Sequence, residues 1–373
     1  MWRERMAKNK EKKIARFNSP FLCTPNDAIS ISDRIMPMQQ YQDFKARISR
    51  LEKSLSPFEL TAAVAFDYFA REKVDIAVIE VGVGGLHDAT NVFSRPLVCV
   101  ITAIGLDHQG LLGDSILEIA EQKAGIMKPG VNVVIGPQRD PKVQSLLKMR
   151  AEELDCRISL VRPAKRLDGL YVAAECYDET TVEYTLNLNG DFQLENSAIA
   201  INAVRMAFPL MSAENISKGM SQITRWPARL DRVVLKENSL GEVLVDGAHN
   251  LDAASVLGKF VDDMRSSTGR GKVLWIYASS QNKDVQTILN RLLRPGDTLI
   301  PATFGPVDEM PWVQPFSDWE GLELSDSVSM IRSTAKRVDA CMKEAEEYFS
   351  SGVHLVVVCG SLYLASEFYR TFT

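Results

Sequence analysis

The sequence predicts an α/β protein with two domains. Apolar runs of strand length alternate along the chain with segments of helical periodicity, which is the pattern of doubly wound sheets. The 373 residues are enough to bury two cores of ordinary size. This alternation is interrupted at residues 226–233, where Pro227 ends a helical segment before a new strand begins. We therefore expect the domain boundary there.

In the first domain, the predicted strands are short apolar runs, and most of the predicted helices carry apolar residues three and four positions apart. The strands are residues 74–79, 97–104 and 131–135, and the helices are residues 57–72, 116–127, 141–154 and 196–206. Residues 157–192 predict β-rich connecting structure, because residues 180–188 alternate between apolar and polar side chains.

The remainder of the chain repeats the alternation of strands and helices. Its predicted strands are residues 241–246, 272–277, 297–300 and 354–359, and a helix is predicted to begin near Asp252. The sequence contains no internal repeat or low-complexity tract. It therefore predicts a second, smaller α/β domain.

Composition argues against several classes of protein. The net charge of −5, from 43 basic and 48 acidic residues, does not suit a nucleic-acid binder, whose phosphate contacts need a basic surface. No apolar stretch reaches the roughly 18 residues of a membrane span, so we expect a soluble protein. The six cysteines form no CxxC pair, which predicts reduced thiols in a cytosolic-type compartment and no zinc site.

Polar residues of the first domain predict a site for a magnesium-bound nucleotide. Glu80 ends one predicted strand and Asp107 with His108 follows the next, so parallel strands would deliver these groups to the same sheet edge. A glycine-rich turn at residues 82–91 allows close backbone approach, and Lys123 lies on the following helix. Taken singly, each is more often a solvated or structural residue. Their combination favours the metal and nucleotide.

A second polar cluster is predicted in the other domain. Asp246 ends a predicted strand, and His249 and Asn250 follow at a helix start, where they could bind nucleotide ribose or phosphate. This motif alone favours the alternative, an N-cap, in which Asn250 or Asp252 only satisfies backbone donors. Arg229 at the predicted boundary favours the nucleotide, because a permanently charged, forked donor suits phosphate when domains close.

Motifs along nearly the whole chain resemble the Mur-ligase-like ATP-dependent amide synthetases of folate metabolism, the dihydrofolate and folylpolyglutamate synthetases. Besides the first cluster, the matching motifs are Ser19-Pro20, Phe58-Glu59 with Thr61, Gln193-Leu-Glu-Asn196, Trp226-Pro-Ala-Arg229-Leu230, Asp246-Gly-Ala-His249-Asn250 and Val358-Cys-Gly-Ser361-Leu362-Tyr363. The resemblance implies an N-terminal domain with a P-loop-type sheet, residues 1–227, and a smaller Rossmann-like domain, residues 228–373.

The resemblance also implies roles for individual residues. It assigns Mg²⁺ to Ser19, Glu80 and His108. It assigns catalytic roles to His249 and to Lys123, whose carbamylation would turn a cation that repels metal into an anion. It assigns ATP to Asn196, Arg229, Asp246, His249 and Asn250. It assigns the pterin-bearing substrate to Phe58, Glu59, Thr61, His87, Asp88 and Ala89, with Asp88 a hydrogen-bond partner for the pterin ring.

The implied reaction is amide formation through an acyl phosphate. A substrate carboxylate attacks the γ-phosphate of ATP, and the amine of L-glutamate then displaces phosphate. The turn Asp88-Ala-Thr90-Asn91, residues 123–126, residues 309–313 and residues 358–363 more closely resemble those of the dihydrofolate-synthesising members, which implies 7,8-dihydropteroate as the substrate. The alternative is folylpolyglutamate synthesis on a reduced folate, and a peptidoglycan-type Mur ligase fits less well. We expect a cytoplasmic monomer that contacts neither nucleic acid nor membrane, with a mitochondrial pool as an alternative location.

One family motif is missing from these 373 residues. Family members carry a phosphate-cradling GxxGKS loop, whereas the nearest match here, residues 269–272, lacks the leading glycine and the hydroxyl. The charged residues 1–13 predict a solvated helix or a disordered arm. We therefore expect an N-terminally truncated sequence with an incomplete sheet and impaired ATP turnover. The alternative is an inactive remnant that binds a pterin or a partner protein. A smaller departure is Ala228, which replaces the usual glycine before Arg229.

Overall fold

A computed structural model of the chain describes residues 12–235, 240–269, 271–308, 310, 312–332, 334–349 and 355–373. The predicted charged arm lies almost wholly outside the described residues, as do His354, at the start of a predicted strand, and positions 309 and 311. By their internal contacts, the residues form two compact units. The first contains residues up to 186 and 192–222, and the second contains residues 187–191 and 223–373.

One sheet of the first unit has the strand order β3-β2-β1-β4. Its strands are β1 (Ile14–Phe17), β2 (Ile29–Ile31), β3 (Arg34–Ile35) and β4 (Ile76–Ile79), with a 3-10 helix at Pro25–Ala28 before β2. β1 pairs antiparallel with β2 and parallel with β4. Helices α1 (Met38–Leu51) and α2 (Pro57–Glu72) share a core with this sheet that includes Phe17, Ile29 and Phe69.

Local sequence signals define both ends of helix α2. The Ser56 hydroxyl accepts a hydrogen bond from the Glu59 N–H at 3.3 Å, and the Glu59 carboxylate accepts one from the Ser56 N–H at 2.7 Å. This reciprocal capping box fixes the first turn of the helix. Pro57 suits the first helical position because it has no backbone N–H that would need an acceptor. Lys73 ends the helix in the left-handed conformation, with φ 52°. The predicted helix at residues 57–72 is confirmed.

A second sheet of the first unit contains three parallel strands in the order β5-β6-β7. The strands are β5 (Val98–Ile101), β6 (Asn132–Ile135) and β7 (Arg157–Leu160), and the helices around them are α3 (Gln109–Leu112), α4 (Ile116–Ala124), α5 (Pro141–Glu153) and α6 (Phe192–Ala207). Ile119, Val133 and Leu147 are fully buried in the core between these elements. Helix α6 packs against β5 and β6.

The prediction that the strands carrying Glu80 and His108 share one sheet edge is wrong for the described chain. Among the described strands, β4 pairs with β1 alone and β5 pairs with β6 alone. Each is therefore an edge strand of a different sheet. This explains why Val78 in β4 is 60% exposed and Leu97 beside β5 is 49% exposed, although their apolar runs predict buried strands.

The first unit also contains an antiparallel meander. Its strands are β8 (Lys165–Asp168), β9 (Tyr171–Glu175) and β10 (Thr181–Thr185), and helix α7 (Ala213–Ser221) packs against β10. Val182 and Tyr184 are buried and their neighbours are more exposed, so the predicted alternation is confirmed over a shorter span. The buried Asn202 of α6 joins the meander to β7, because it donates to the Glu175 carbonyl and accepts from the Ser159 hydroxyl, both at 3.1 Å.

The second unit is built on a six-stranded sheet with the order β11-β12-β16-β13-β14-β15. Its strands are β11 (Asp231–Val234), β12 (Glu242–Val245), β13 (Val273–Tyr277), β14 (Thr298–Pro301), β15 (Ser329–Met330) and β16 (Leu355–Cys359), and its helices are α8 (Leu251–Thr268), α9 (Val285–Leu292), α10 (Val338–Phe349) and α11 (Leu362–Phe372). Only the β11–β12 pair is antiparallel among the described pairs. Every residue of β13 and β16 is buried, as in a sheet covered on both faces. The predicted Rossmann-like domain is confirmed.

A fully buried carboxylate organises one end of this sheet. Asp297 accepts hydrogen bonds from Arg265 Nη1 and Nη2 at 2.8 and 2.6 Å and from Trp275 Nε1 at 2.9 Å. It also accepts from the backbone N–H groups of Val273 and Arg294. Because Arg265 lies on α8, this network ties the helix to β13 and to the start of β14.

The other predicted helices differ from the observed ones mainly at their ends. Helix α4 ends at Ala124 rather than residue 127, and Gly125 follows as its C-cap. Helix α6 begins at Phe192, four residues before the prediction, and α8 begins at Leu251. Within the described ranges, every helix is too short or too polar to cross a lipid bilayer.

Candidate functional site

Glu80 lies where β4 ends, beside the segment that follows β1. Its N–H donates to the Phe17 carbonyl at 2.9 Å, which extends the parallel β1–β4 pairing by one step. The Ser19 N–H in turn donates to Glu80 Oε2 at 3.2 Å. The carboxylate and Ser19 are therefore held together at the carboxyl ends of two parallel strands, which is where open α/β sheets bind ligands.

The turn after Glu80 is packed closely at two of its glycines. A Cβ atom on Gly82 would lie 2.4 Å from the Phe58 ring, and one on Gly85 would lie 2.9 Å from the Gln122 carbonyl oxygen of α4. The turn is thus packed against both α2 and α4. A side chain at Gly85 would clash with the backbone of α4, whereas one at Gly82 would have to displace the Phe58 ring.

Asp88 fixes the shape of this turn from within. Its carboxylate accepts hydrogen bonds from the Val83 N–H and the Thr90 N–H, each at 2.9 Å, and from the Thr90 hydroxyl at 2.5 Å. His87 is exposed beside it, and Ala89 packs against the core of the first sheet. The exposed His87 imidazole therefore lies next to the Asp88 carboxylate, which is occupied by hydrogen bonds within the turn.

The other predicted substrate residues lie at the start of α2, and their polar contacts are internal. Glu59 belongs to the capping box of the helix. The buried Thr61 hydroxyl donates to the Pro57 carbonyl at 2.9 Å and lies 3.2 Å from Tyr41 Oη. Phe58 is half-buried, and its ring contacts Gly82 in the glycine turn. It is therefore the member of this group that lies near Glu80.

Lys123, Asp107 and His108 form a second cluster in the first unit. Lys123 is half-buried rather than an exposed lysine that faces away, and burial lowers the pKa of its ammonium group while the nearby Asp107 carboxylate opposes this shift. His108 precedes α3 with φ 55°, and its Nε2 lies 4.0 Å from Asp107 Oδ2. The family resemblance assigns no role to Asp107. Its position after a predicted strand was the available signal.

The described residues do not assemble a ready-made metal site. No three His, Cys, Asp or Glu side chains among them lie close enough to hold one ion. The Glu80 carboxylate, held by the Ser19 N–H, nevertheless offers oxygen donors, and Mg²⁺ commonly takes one or two carboxylates and keeps several waters. The His108 imidazole lies next to Asp107. The donor set at Glu80 therefore fits Mg²⁺, with His108 in the neighbouring cluster.

In the second unit, Asp246 lies after β12 and its carboxylate holds two backbone groups. Oδ2 accepts from the Leu230 N–H at 2.7 Å, and Oδ1 accepts from the Ala248 N–H at 2.8 Å. Burial raises the pKa of this carboxyl group, and these hydrogen bonds and the nearby Arg229 guanidinium oppose the shift. Asp246 thus links the turn that carries Arg229 to the loop before α8.

Asn250 is the N-cap of helix α8. Its Oδ1 accepts a hydrogen bond from the Ala253 N–H at 2.9 Å, so the capping alternative is confirmed for this side chain. The preceding His249 has Nδ1 2.9 Å from the Gly247 carbonyl oxygen. In the first unit, the exposed Asn196 lies in the first turns of α6, and its Nδ2 donates to Gln193 Oε1 at 3.3 Å. Nucleotide binding by these residues stays a prediction.

Arg229 projects from a strained turn. Ala228 and Leu230 on either side are buried and have φ values of 58° and 48°, whereas Arg229 is exposed. Such left-handed conformations cost roughly 1–2 kcal/mol for residues with a Cβ atom. The Ala228 carbonyl accepts from the Gly247 N–H at 2.9 Å, and a Cβ atom on Gly247 would lie 2.9 Å from Arg229 Nη1. Nη1 also donates to the Ala228 carbonyl at 3.3 Å, so the guanidinium lies against the turn and the Gly247 loop.

We expect Ala228→Gly to raise the free energy of unfolding by about 0.5–1 kcal/mol, because glycine removes the left-handed strain at this position. Ala254→Gly is the matched control: Ala254 is equally buried but lies in helix α8, so its replacement should destabilise the protein by about 1 kcal/mol or more. Urea unfolding followed by tryptophan fluorescence measures both. Equal destabilisation by the two variants would contradict the strain at Ala228.

Two family profiles match the sequence. The profile described as "Mur ligase middle domain" matches residues 38–204, and "Dihydrofolate synthetase, C-terminal domain" matches residues 231–371. The chain is 34% identical over 380 residues to a probable dihydrofolate synthetase of Schizosaccharomyces pombe, covering 96% of this chain and 86% of that protein. It is 31% identical over 386 residues to the dihydrofolate synthetase of Saccharomyces cerevisiae, covering 97% and 87%.

Solved structures give a similar result. Folylpolyglutamate synthase of Mycobacterium tuberculosis, complexed with ADP and AMPPCP, matches with a TM-score of 0.78 and 26% identity, covering 97% of this chain and 85% of that chain. An FPGS–AMPPCP–folate complex matches with a TM-score of 0.72 and 27% identity, covering 96% and 83%. Both neighbours were therefore solved with a nucleotide or its analogue bound.

Proposed function

We propose, because this chain belongs to the Mur-ligase-like family of dihydrofolate and folylpolyglutamate synthetases, that it joins L-glutamate to 7,8-dihydropteroate in an ATP-dependent reaction. The observation that carries this proposal is 34% identity along 96% of the chain to a fungal relative named as a probable dihydrofolate synthetase. The profile that matches residues 231–371 bears the same name. Together they favour dihydropteroate over a reduced folate as the substrate.

The proposed reaction has two steps. A carboxylate oxygen of dihydropteroate attacks the γ-phosphorus of ATP, ADP leaves, and an acyl phosphate forms. The amine of glutamate then attacks the acyl carbon, loses a proton, and expels inorganic phosphate to leave the amide. Reactions of this kind depend mainly on positioning and on neutralising phosphate charge. The protein therefore has to supply cations and fixed oxygen ligands rather than a nucleophile of its own.

The exposed guanidinium of Arg229 supports the proposed contact with ATP phosphates. It is held at the edge of a rigid turn, and a forked cation can form two hydrogen bonds to phosphate oxygens. Asp246 contributes by fixing that turn, since it holds the Leu230 N–H. We propose that Asn196, His249 and Asn250 complete the nucleotide contacts, as the family resemblance implies.

Ser19 and Glu80 are the proposed ligands of Mg²⁺, with His108 as the third. When bound, Mg²⁺ neutralises charge on the ATP phosphates. The hydrogen bond from the Ser19 N–H orients the Glu80 carboxylate at the end of β4. This fixed carboxylate supports the proposal, because Mg²⁺ requires oxygen ligands at well-defined positions.

Lys123 is proposed to act as a carbamate. Burial lowers the pKa of its ammonium group, which enlarges the fraction of neutral amine, the form that reacts with carbon dioxide. The resulting anion would replace a cation next to Asp107. Half-burial of the lysine beside that carboxylate supports the proposal.

The half-buried Phe58 ring and the glycine turn support a pterin site next to Glu80. We propose that Phe58, His87 and Ala89 border the pterin ring and that Asp88 bonds to it through a remaining lone pair. We propose an indirect role for Glu59 and Thr61, in which they shape the start of α2. The capping box of Glu59 and the contact of Thr61 with Tyr41 support this role.

The substrate is tested by incubating the 373-residue chain with ATP, Mg²⁺, labelled glutamate and either 7,8-dihydropteroate or tetrahydrofolate. We expect ATP-dependent formation of dihydrofolate and little labelling of tetrahydrofolate. Labelling of tetrahydrofolate alone would favour folylpolyglutamate synthesis, the activity named for a Lacticaseibacillus casei relative at 29% identity. Because the sequence lacks a GxxGKS motif, pterin binding without any ATP turnover is the other informative result.

A further inference from the structure

The turn that carries Arg229 is fixed by a residue of the last helix. We propose that Tyr369, in α11, is a positioning residue for Arg229: its hydroxyl group fixes the backbone from which the guanidinium projects. This inference rests on the proposed function, because it takes an ATP phosphate as the partner of Arg229.

The Tyr369 hydroxyl makes one hydrogen bond to each side of the turn. It accepts from the Ala228 N–H at 2.8 Å and donates to Asp231 Oδ2 at 2.5 Å. Burial and the hydrogen bond to Asp231 both raise the pKa of the phenol, so the hydroxyl keeps the proton that it donates. Tyr369 is 6% exposed, and water therefore cannot easily replace it.

Asp231 holds the hydroxyl in one orientation. Its carboxylate lies at the start of β11 and also accepts from Arg225 Nε at 3.1 Å and Arg225 Nη2 at 2.6 Å. The carboxylate side chain is 1% exposed. The Tyr369 hydroxyl is thus anchored to the sheet through a buried, charge-assisted network, and it transmits that fixed position to Ala228.

The turn needs such support because its conformation is intrinsically unfavourable. Its second half is held by Asp246, which accepts from the Leu230 N–H, and by Asn189 Nδ2, which donates to the Leu230 carbonyl at 2.9 Å. Its first half contains Ala228, and the Ala228 N–H has Tyr369 as its buried acceptor. Loss of this hydroxyl leaves the N–H without that acceptor and favours rotation of Ala228 out of the left-handed region. Arg229, one residue later, then moves.

A double-mutant cycle on AMPPCP binding tests this role in the full chain. In calorimetric titrations we expect Tyr369→Phe to raise Kd about 5- to 20-fold and Arg229→Ala to raise it about 10- to 100-fold. In the Arg229→Ala background, Tyr369→Phe should change Kd less than about 2-fold, because the two residues act through one contact. Asp231→Asn gives a second test, with the same dependence on Arg229.

Tyr363→Phe is the matched control, since it removes a hydroxyl from the same helix. The Tyr363 hydroxyl lies 3.6 Å from Met310 Sδ, away from the Arg229 turn, and this variant should bind AMPPCP as the wild type does. The positioning role would be overturned if Tyr369→Phe leaves Kd unchanged. It would also be overturned if Tyr369→Phe raises Kd by the same factor in the wild-type and Arg229→Ala backgrounds. If Arg229→Ala itself leaves Kd unchanged, the proposed phosphate contact of Arg229 fails instead.

Discussion

Replacement of Glu80 by glutamine is expected to lower kcat for dihydrofolate formation by about 10²- to 10³-fold, the cost of losing one charged group that stabilises the transition state. Glutamine keeps the size of the side chain and an oxygen that can accept from the Ser19 N–H. It removes the negative charge of the carboxylate that we propose as a Mg²⁺ ligand. The free energy of unfolding should therefore stay within about 0.5 kcal/mol of the wild-type value, because Glu80 is an exposed residue.

Steady-state kinetics at increasing Mg²⁺ concentrations measures this effect. The Glu80→Gln variant should need more Mg²⁺ for half-maximal rate, whereas the control Glu152→Gln, at an exposed ion pair with Lys148 on α5, should behave as the wild type. A Glu80→Gln enzyme with wild-type kcat and Mg²⁺ dependence would show that Glu80 is not a metal ligand.

The second large effect is expected on stability, from Asp297→Asn. This carboxylate is 0% exposed and is the ionic partner of Arg265, whose side chain is 13% exposed. Asparagine removes the buried counter-charge of the guanidinium, leaves only the partly exposed Asp262 carboxylate 3.6 Å from Arg265 Nε, and turns an NH₂ group toward other donors. We expect the free energy of unfolding to fall by about 3–5 kcal/mol.

Urea unfolding followed by tryptophan fluorescence reports on the correct unit, because four of the five tryptophans, at positions 226, 275, 312 and 319, lie in the second unit. Asp262→Asn is the matched control. Asp262 forms ion pairs with Arg294 at 2.8 Å and with the same Arg265 at 3.6 Å but is 39% exposed, so its loss should cost less than about 1 kcal/mol. Similar effects of the two substitutions would contradict the central role of Asp297.

Local signals in the sequence predict five of the described helices, α2, α4, α5, α6 and α8, and miss the others. Helix α2 carries a capping box at Ser56 and ends where Lys73 adopts the left-handed conformation, and its bounds were predicted without error. The prediction begins α6 at Asn196, four residues after its observed start at Phe192. The motifs also identified the family, which the comparisons confirm.

Pairing of distant segments was the harder part. The apolar run ending at Ile79 predicts a buried central strand, but burial depends on which strands lie beside it, and β4 is an edge strand in the described chain. The side-chain roles show the same limit. Asn250 is both a predicted nucleotide ligand and an observed N-cap, because the same amide suits both. Tyr369 looks like an ordinary core residue, and its partner Asp231 is 138 positions away.

The most direct test of the proposed reaction is the fate of the substrate oxygen. Dihydropteroate labelled with ¹⁸O in its carboxylate is incubated with the chain, ATP, Mg²⁺ and glutamate, and the released inorganic phosphate is analysed by mass spectrometry. An acyl phosphate requires one carboxylate oxygen to leave with phosphate, so we predict one ¹⁸O atom in each phosphate formed with dihydrofolate. Unlabelled phosphate, or no glutamate-dependent product, would contradict the proposal.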